Sequence, residues 1–334
     1  MAEQTAEQIS SPKRPLISAI VTTYNEEHNI ADCIDSLLWC DEILVVDSFS
    51  TDRTPEIVRA YEDREAKPGE GKVVFAQRTY FGSASQKNWA MDQVAHDWIL
   101  IFDADERCLP KLQAELEKIL TKGPKYDAYT INRRCFFLGK VLRFSGWQND
   151  RVVRLVRKGT ARYPNRRVHA DMDTLGKDKV LKNHMDHYMA ETLDEYIPRI
   201  LKYSYWGAAQ GWQDGKKSGV KEVFGRSVWR FIRTYFFQLG IFDGMRGLVF
   251  CMLQAFGTYM KWALLWSWRV NAARGVEPDL PVFDDSEEVW RDLEGAEEAG
   301  ETVEAEAGRE ATEEMEPDTE VNTETDTEPA RTAE

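Results

Sequence analysis

WILIFDADE, residues 98–106, is the stretch on which the fold turns. Five apolar residues in succession, Trp98 to Phe102, fit a strand buried on both faces, as in a parallel sheet covered by helices. The run ends on Asp103, Asp105 and Glu106. Alternate residues of an extended chain point the same way, so Asp103 and Asp105 face one site. Two carboxylates at the end of a buried strand are costly without a counter-ion. A hard divalent cation such as Mg²⁺ or Mn²⁺ supplies one and keeps coordination places for phosphate oxygens. An Asp-x-Asp on a solvated turn carries little information; following WILIF it predicts a metal–phosphate site.

Similar apolar runs lie upstream: LISAIVTTY (16–24), EILVVDS (42–48) and KVVFAQ (72–77). Between them the spacing predicts helices over 29–38, from Thr54-Pro55 onward (Thr54 as cap, Pro55 at the first helical position), and over 85–95. Another helix starts at Pro110 and ends near Gly123. This alternation predicts an α/β fold with a Rossmann-like, mainly parallel sheet. Ligands of such sheets bind beyond the carboxyl ends of the strands. The residues there are Tyr24-Asn25-Glu26, Asp47-Ser48 and Asp103-Ala104-Asp105. The stretches 126–137 and 151–158 then read as strands with no helix between them, an antiparallel extension. From Thr192 to about Asn271 the chain is helical and aromatic.

The net charge of −14 is unevenly spread. Residues 284–334 hold 21 acidic residues against three arginines, leaving 40 basic against 36 acidic residues in the body. Such a body does not suggest nucleic acid as a partner. The tail has too few apolar residues to fold. The expected organisation is a disordered N-terminus over 1–14, a catalytic domain over 15–190, a helical region over 191–276 and an acidic disordered tail over 277–334. The five cysteines are scattered without a Cys-x-x-Cys, which implies free thiols in a reducing compartment. The first fifteen residues have no apolar core, so a cytoplasmic location is expected.

AIVTTYNEEHNIADCIDSLLWCDEILVVDSFSTDRTPEIV, GSASQKNWAM and WILIFDADERC together resemble the inverting family-2 glycosyltransferases of GT-A fold. Within them, these motifs are most similar to the bacterial lipopolysaccharide-core glucosyltransferase group. The resemblance extends from about Leu16 to about Ala273. It implies a nucleotide-sugar donor, UDP-linked, with a divalent metal, and a lipid-linked saccharide as acceptor. A polyprenyl-phosphate or another cell-envelope glycan is the alternative acceptor. Thr23, Asn25 and Glu26 match the loop around the nucleotide. Asp47 matches the acid near base or ribose, although the family's Asp-Asp-Gly-Ser reads Asp47-Ser48-Phe49-Ser50 here. Asp103 would lie near the ribose and share the metal site with Asp105, the main metal ligand. Lys87, within Gln86-Lys87-Asn88, would contact phosphate or else lie on a solvated helix face.

An inverting transfer needs a carboxylate to take the proton of the attacking hydroxyl. GWQND (146–150) before RVVRLVRK resembles a Gly-Trp-x-x-Asp of the group, which implies Asp150 as base; a capping Asp is the alternative reading. Asp171, in Val168-His169-Ala170-Asp171, is a second candidate where relatives often carry Val-His-Glu. His169 could bind metal or phosphate or be structural, and His184 and His187 read as structural. Two other functions compete. A nucleotidyltransferase would carry a Gly-rich loop after the first strand, where this chain has TTYNEEHN. An inactive sugar-nucleotide-binding module would be expected to lack Asp105.

Residues from about Phe224 to Trp268 are expected to lie in the membrane interface without crossing it, at the inner face of the cell membrane. The longest uncharged run, Gly247–Met260, is shorter than the roughly 20 residues a span needs. At helical spacing Arg226, Arg230 and Arg233 share one face, and Phe224, Val228, Phe231 and Tyr235 the other. That pattern suits a helix lying on anionic lipid, with Trp229, Trp262, Trp266 and Trp268 at headgroup level.

Overall fold

The computed structural model describes residues 14–164, 172–278 and 280. The first half alternates strand and helix: β1 (Ile17–Thr23), α1 (Ile30–Leu37), β2 (Glu42–Asp47), α2 (Thr54–Glu62), β3 (Lys72–Gln77), α3 (Ser83–Gln93) and β4 (Trp98–Asp103). β1, β2 and β4 are buried on both faces, hence their unbroken apolar sequences. α1, α2 and α4 (Pro110–Lys122) cover one face of the sheet with Ile34, Val58 and Leu116. α3 packs Ala90 and Met91 against the other.

These four strands are parallel in the order β3-β2-β1-β4. The chain steps outward from β1 to β3 and then returns to lay β4 on the opposite side of β1. Strand order reverses there, leaving a crevice at the carboxyl ends of β1 and β4. Thr22 is in register with Asp103, and Thr23 with Asp47. One rim therefore carries the polar ends of all these strands.

The second half contains β5 (Glu106–Arg107), β6 (Ala128–Phe137), β7 (Lys140–Val141), β8 (Arg151–Arg157), β9 (Ala161–Arg162), β10 (Asp173–Thr174) and β11 (Asp178–Ala190). β8 lies antiparallel between β4 and β6, the extension expected from 126–137 and 151–158. β11 pairs parallel with β6 and antiparallel with β5, with register shifts along it. Its sequence, DKVLKNHMDHYMA, alternates too irregularly to announce a strand. One expected detail is corrected. Thr54 does not cap α2: Asp52 Oδ1 accepts from Thr54 N at 2.9 Å, which frees Thr54 Oγ1 to accept from Glu26 N at 2.9 Å.

Beyond the sheet, α5 (Leu193–Gln213) is capped by Thr192, whose hydroxyl accepts from Glu195 N. α6 (Arg226–Ile232) sits between two π-helical turns, Lys221–Gly225 and Arg233–Phe237. α7 (Gly244–Ala272) follows a 3₁₀ turn over Gly240–Asp243. α5 and α7 pack through Ala208, Ala209, Trp262 and Leu265. Tyr196 and Phe250 carry this layer onto Phe137, Leu142 and Met189 of the sheet edge. Gly247 permits a close approach at the start of α7, since a Cβ there would stand 2.1 Å from the Gly240 carbonyl oxygen.

The helical region has an exposed apolar surface that includes Phe224 and Val228 of the expected apolar face, while the basic face is partly turned inward. Arg226 lies over the Trp262 ring at 4.6 Å, and Arg230 Nη2 donates to Gln254 Oε1 at 2.9 Å. Both side chains contact α7, but Arg226 stays exposed like Arg233, and Arg230 is the partly buried member of the basic face. Trp229 (56% exposed), Phe237 (69%) and Phe242 (70%) face outward. α7 offers Arg226 an aromatic wall and Arg230 a polar one, contacts that the helical spacing of α6 alone does not reveal. The 14-residue limit also does not decide the matter of length. By length and composition, Gly240–Ala272 is long and apolar enough to cross a membrane: its most apolar 18 residues have mean hydropathy 1.3, and 22% of them are buried.

Candidate active site

The rim is built first by loops that tie to one another. Asn25 adopts a left-handed backbone (φ 52°), a conformation Asn tolerates better than most residues. Its amide donates to Ser50 Oγ at 2.8 Å, and its Oδ1 accepts from Thr51 N at 2.8 Å. The loops after β1 and β2 are thereby closed together. Asp47 is fully buried. Its carboxylate accepts from Ser50 N (3.0 Å), Ser50 Oγ (2.5 Å) and Gln77 Nε2 (3.0 Å). Ser50, which keeps the last position of the family's motif, thus folds back onto the acid. Thr23 Oγ1 is buried at the same rim without a hydrogen-bond partner, a group an incoming ligand could satisfy.

Asp103 and Asp105 occupy different environments. Asp103 Oδ1 lies 2.6 Å from Lys87 Nζ and accepts from Thr22 Oγ1 at 3.0 Å, while Oδ2 lies 2.7 Å from Arg154 Nη2. Burial alone would raise its pKa, but Lys87 and Arg154 outweigh burial and hold it well below the usual carboxylate range. Lys87 is buried against Asp103, so it does not lie on a solvated helix face. Fully buried Glu106 shares Arg154 (2.6 Å), reaches Arg133 (3.4 Å) and accepts from Asp103 N (3.0 Å).

Asp105 is held more loosely. Its Oδ2 faces His187 Nε2 at 3.4 Å and Arg199 Nη1 at 3.6 Å. Burial raises its pKa, and His187 then lowers it below the ordinary value on balance. Burial depresses the His187 pKa, and Asp105 raises it above the ordinary value on balance. Glu26 lies nearby, 3.5 Å from Arg199. Burial and then the Asp105 charge push its pKa up to about 7.

His187 connects this corner to Asp150. The ligating atoms of Cys135, Asp150 and His187 lie within 4.8 Å of one another. Arg133 grips Asp150 with two bonds, Nε–Oδ2 at 2.6 Å and Nη2–Oδ1 at 2.9 Å, so its carboxylate has a defined orientation. His184, by contrast, is exposed. Asp171, with His169 and Ala170, lies outside the described residues.

Asp105 with His187 is a donor set that fits a divalent cation. The carboxylate and the imidazole Nε2 already face each other at a separation wider than a direct hydrogen bond, and phosphate oxygens would complete the coordination. Asp103 fits less well, because each of its oxygens is occupied by a cationic group. α5 roofs the corner with Arg199 and, one turn on, Lys202, which lies over the rings of Tyr24 (5.5 Å) and Trp206 (4.9 Å). Tyr80 stacks on Trp206 at 6.3 Å.

The model of the family described as "Glycosyl transferase family 2" matches residues 18–175. The lipopolysaccharide core biosynthesis glycosyltransferase LpsC of Rhizobium meliloti (strain 1021) is 30% identical over 262 residues, covering 76% of this chain and 95% of that protein. The chain belongs to glycosyl transferase family 2. An uncharacterized glycosyltransferase of Rickettsia typhi is 28% identical over 261 residues, with 75% and 86% covered. Among solved structures, Staphylococcus aureus TarS 1–349 in complex with UDP-GlcNAc aligns at TM-score 0.41 and 15% identity, covering 77% of this chain and 92% of that one. The mannosyltransferase PcManGT of Pyrobaculum calidifontis, with GDP-Man and Mn²⁺, aligns at TM-score 0.40 and 16% identity, covering 82% of each.

For this family-2 enzyme, sequence reasoning did not single out Arg133, Arg154, Glu106 or Arg199, and it read His187 as structural. Glu106 and Arg154 did leave a signal, a third acid directly after Asp105 and an arginine inside an apolar strand. His187 gave no sign of this role, because its neighbours, Cys135 on β6, Asp105 just after β4 and Asp150 just before β8, are far from it in sequence.

Proposed function

We propose that this glycosyltransferase moves a sugar, glucose, from a UDP-sugar to a lipid-linked saccharide such as the lipopolysaccharide inner core. The transfer inverts the anomeric centre in one displacement. The observation that carries the reading is the placement of Asp105, His187 and Asp150 in one corner beyond the carboxyl ends of β1 and β4. The name of LpsC supports the acceptor class.

A divalent metal, Mg²⁺ or Mn²⁺, held by Asp105 and His187 would neutralise the diphosphate of the donor. The remaining work falls to the chain. Thr23, Asn25, Glu26 and Asp47 line the nucleotide end, with the Thr23 hydroxyl ready to donate. Lys87 and Arg154 hold Asp103 ionised, so that it can accept a hydrogen bond from a ribose hydroxyl. Asp150, oriented by Arg133, accepts the proton of the acceptor hydroxyl as that oxygen attacks the anomeric carbon. The exposed face of Trp229, Phe237 and Phe242 supports a position at the inner membrane surface, where a lipid-linked acceptor meets a soluble donor.

The test is UDP release by the purified chain from UDP-glucose with Mn²⁺ or Mg²⁺. Asp105→Ala should reduce turnover by about 100-fold or more, since even residues behind the ligands cost about 10–100-fold. Asp150→Asn should leave donor affinity intact while abolishing transfer. Wild-type turnover in Asp105→Ala, or no release from UDP-, GDP- or TDP-sugars with either metal, would sink the reading.

A further inference from the structure

A cavity of about 190 Å³ opens between the turn that precedes β8 and the helices α6 and α7. It is lined by Ser145, Trp147, Asp150, Arg230, Gln238 and Gln254, among others. It is several times larger than the roughly 30 Å³ a water molecule occupies.

Arg230 is the anomaly in this wall. It is half-buried, yet among the described residues no carboxylate comes within salt-bridge distance of it. Its Nη2 donates to the neutral Gln254, which in turn donates to Tyr196 Oη at 2.9 Å. Its Nε is buried with no partner. Burial and then neighbouring Arg233 pull its pKa below the ordinary arginine value, so a second cation stands nearby without relief. The acids in the vicinity are committed elsewhere. Asp150 is gripped by Arg133, and Asp243 accepts from Arg143 N, Phe144 N and Ser145 Oγ.

A half-buried guanidinium bonded to a neutral amide and facing no carboxylate loses hydration that this single bond repays only in part. Its planar fork matches a phosphate in two bonds. The same cavity presents Asp150, so a molecule whose anion sits at Arg230 can offer a hydroxyl to that carboxylate. We infer that this cavity is the acceptor subsite and that Arg230 selects an acceptor saccharide carrying a phosphomonoester. The inference rests on the proposed role of Asp150.

Two measurements on the full chain test it. The first compares transfer to core oligosaccharide before and after enzymatic dephosphorylation. The wild type should favour the phosphorylated form by about 10-fold or more in kcat/KM, the value of one charge-assisted bond. Arg230→Gln should bring that ratio to about one and Arg230→Lys should restore part of it; a variant that is merely damaged would lose activity on both substrates and keep the ratio. The second uses glucose 6-phosphate as probe, by titration calorimetry with UDP and Mn²⁺ saturating the donor site. The wild type should bind it and not glucose, and Arg230→Gln should bind neither. If no transfer occurs at all, the proposed function fails while the calorimetry still reads the cavity. Equal use of both oligosaccharides, or equal binding of glucose 6-phosphate by wild type and Arg230→Gln, would overturn the inference. So would Arg230-dependent binding to phosphatidylglycerol vesicles without any response to glucose 6-phosphate, which would make the arginine a lipid-headgroup contact.

Discussion

Asp103 accepts from Lys87, Arg154 and Thr22, whereas Asp105, two residues on, faces the cationic groups of His187 and Arg199 at longer range. Removing either carboxylate therefore has different consequences. Asp103→Asn leaves Lys87 without its partner and Arg154 with Glu106 alone, and should destabilise the protein by roughly 3 kcal/mol, near the lower end for a broken buried pair. Chemical denaturation at pH 7 measures it. Because the folded-state pKa of Asp103 is depressed, its contribution is present above the unfolded value and is lost as pH falls through the folded one. The gap between wild type and variant should accordingly close in acid. Glu26 has the opposite sign. Its folded pKa of about 7 lies above the unfolded value, so ionising it in the folded protein costs stability as pH rises from about 4.5 to 7. In metal-free protein, Glu26→Gln should match wild type below that window and melt higher above it. An unchanged difference across the window would refute the assignment. The sequence announced the acids of this site, since a charge at the end of an apolar run is visible locally. It did not separate the work of Asp103 from that of Asp105, because the cations that distinguish them come from α3, β8, β11 and α5.

The four parallel strands were legible for the same local reason: each is an apolar run ended by polar residues. β11 was not, because it is irregular in register with β6 and owes its place to partners far away in sequence. α6 illustrates the same limit for a helix. Its residues sort cleanly onto two faces, but which face meets lipid depends on α7, and α7 takes up Arg226 and Arg230. Arg226 and Arg233 stay exposed, and the apolar membrane-facing candidates are Phe224, Val228, Trp229 and Phe237. Burying one such side chain in the interface is worth about 1.5–3 kcal/mol. Phe237→Glu should lower partitioning to anionic vesicles by about 10-fold or more in flotation, with the melting temperature little changed. Retention of full binding at high and low salt would show that this surface does not meet the bilayer.

At the scale of the whole molecule, the pairing of β6 with β11 has a consequence for the order in which the enzyme can form. The strands run parallel, and β8 enters the sheet between β4 and β6 before β11 exists. As the chain leaves the ribosome, β1 to β4 and their helices can assemble early: β1–β2 and β2–β3 join near neighbours in sequence, and β4 closes on β1 once residue 103 is available. His187, however, lies beyond residue 175, where the family match ends, and Arg199 follows on α5. A nascent chain that has just released β8 therefore owns a nearly finished sheet and both acids of the Asp-x-Asp, but neither of the two groups that face Asp105. On the proposed assignment the nucleotide end is laid down first and the metal corner last, so an interrupted translation product is expected to be folded in outline and chemically silent.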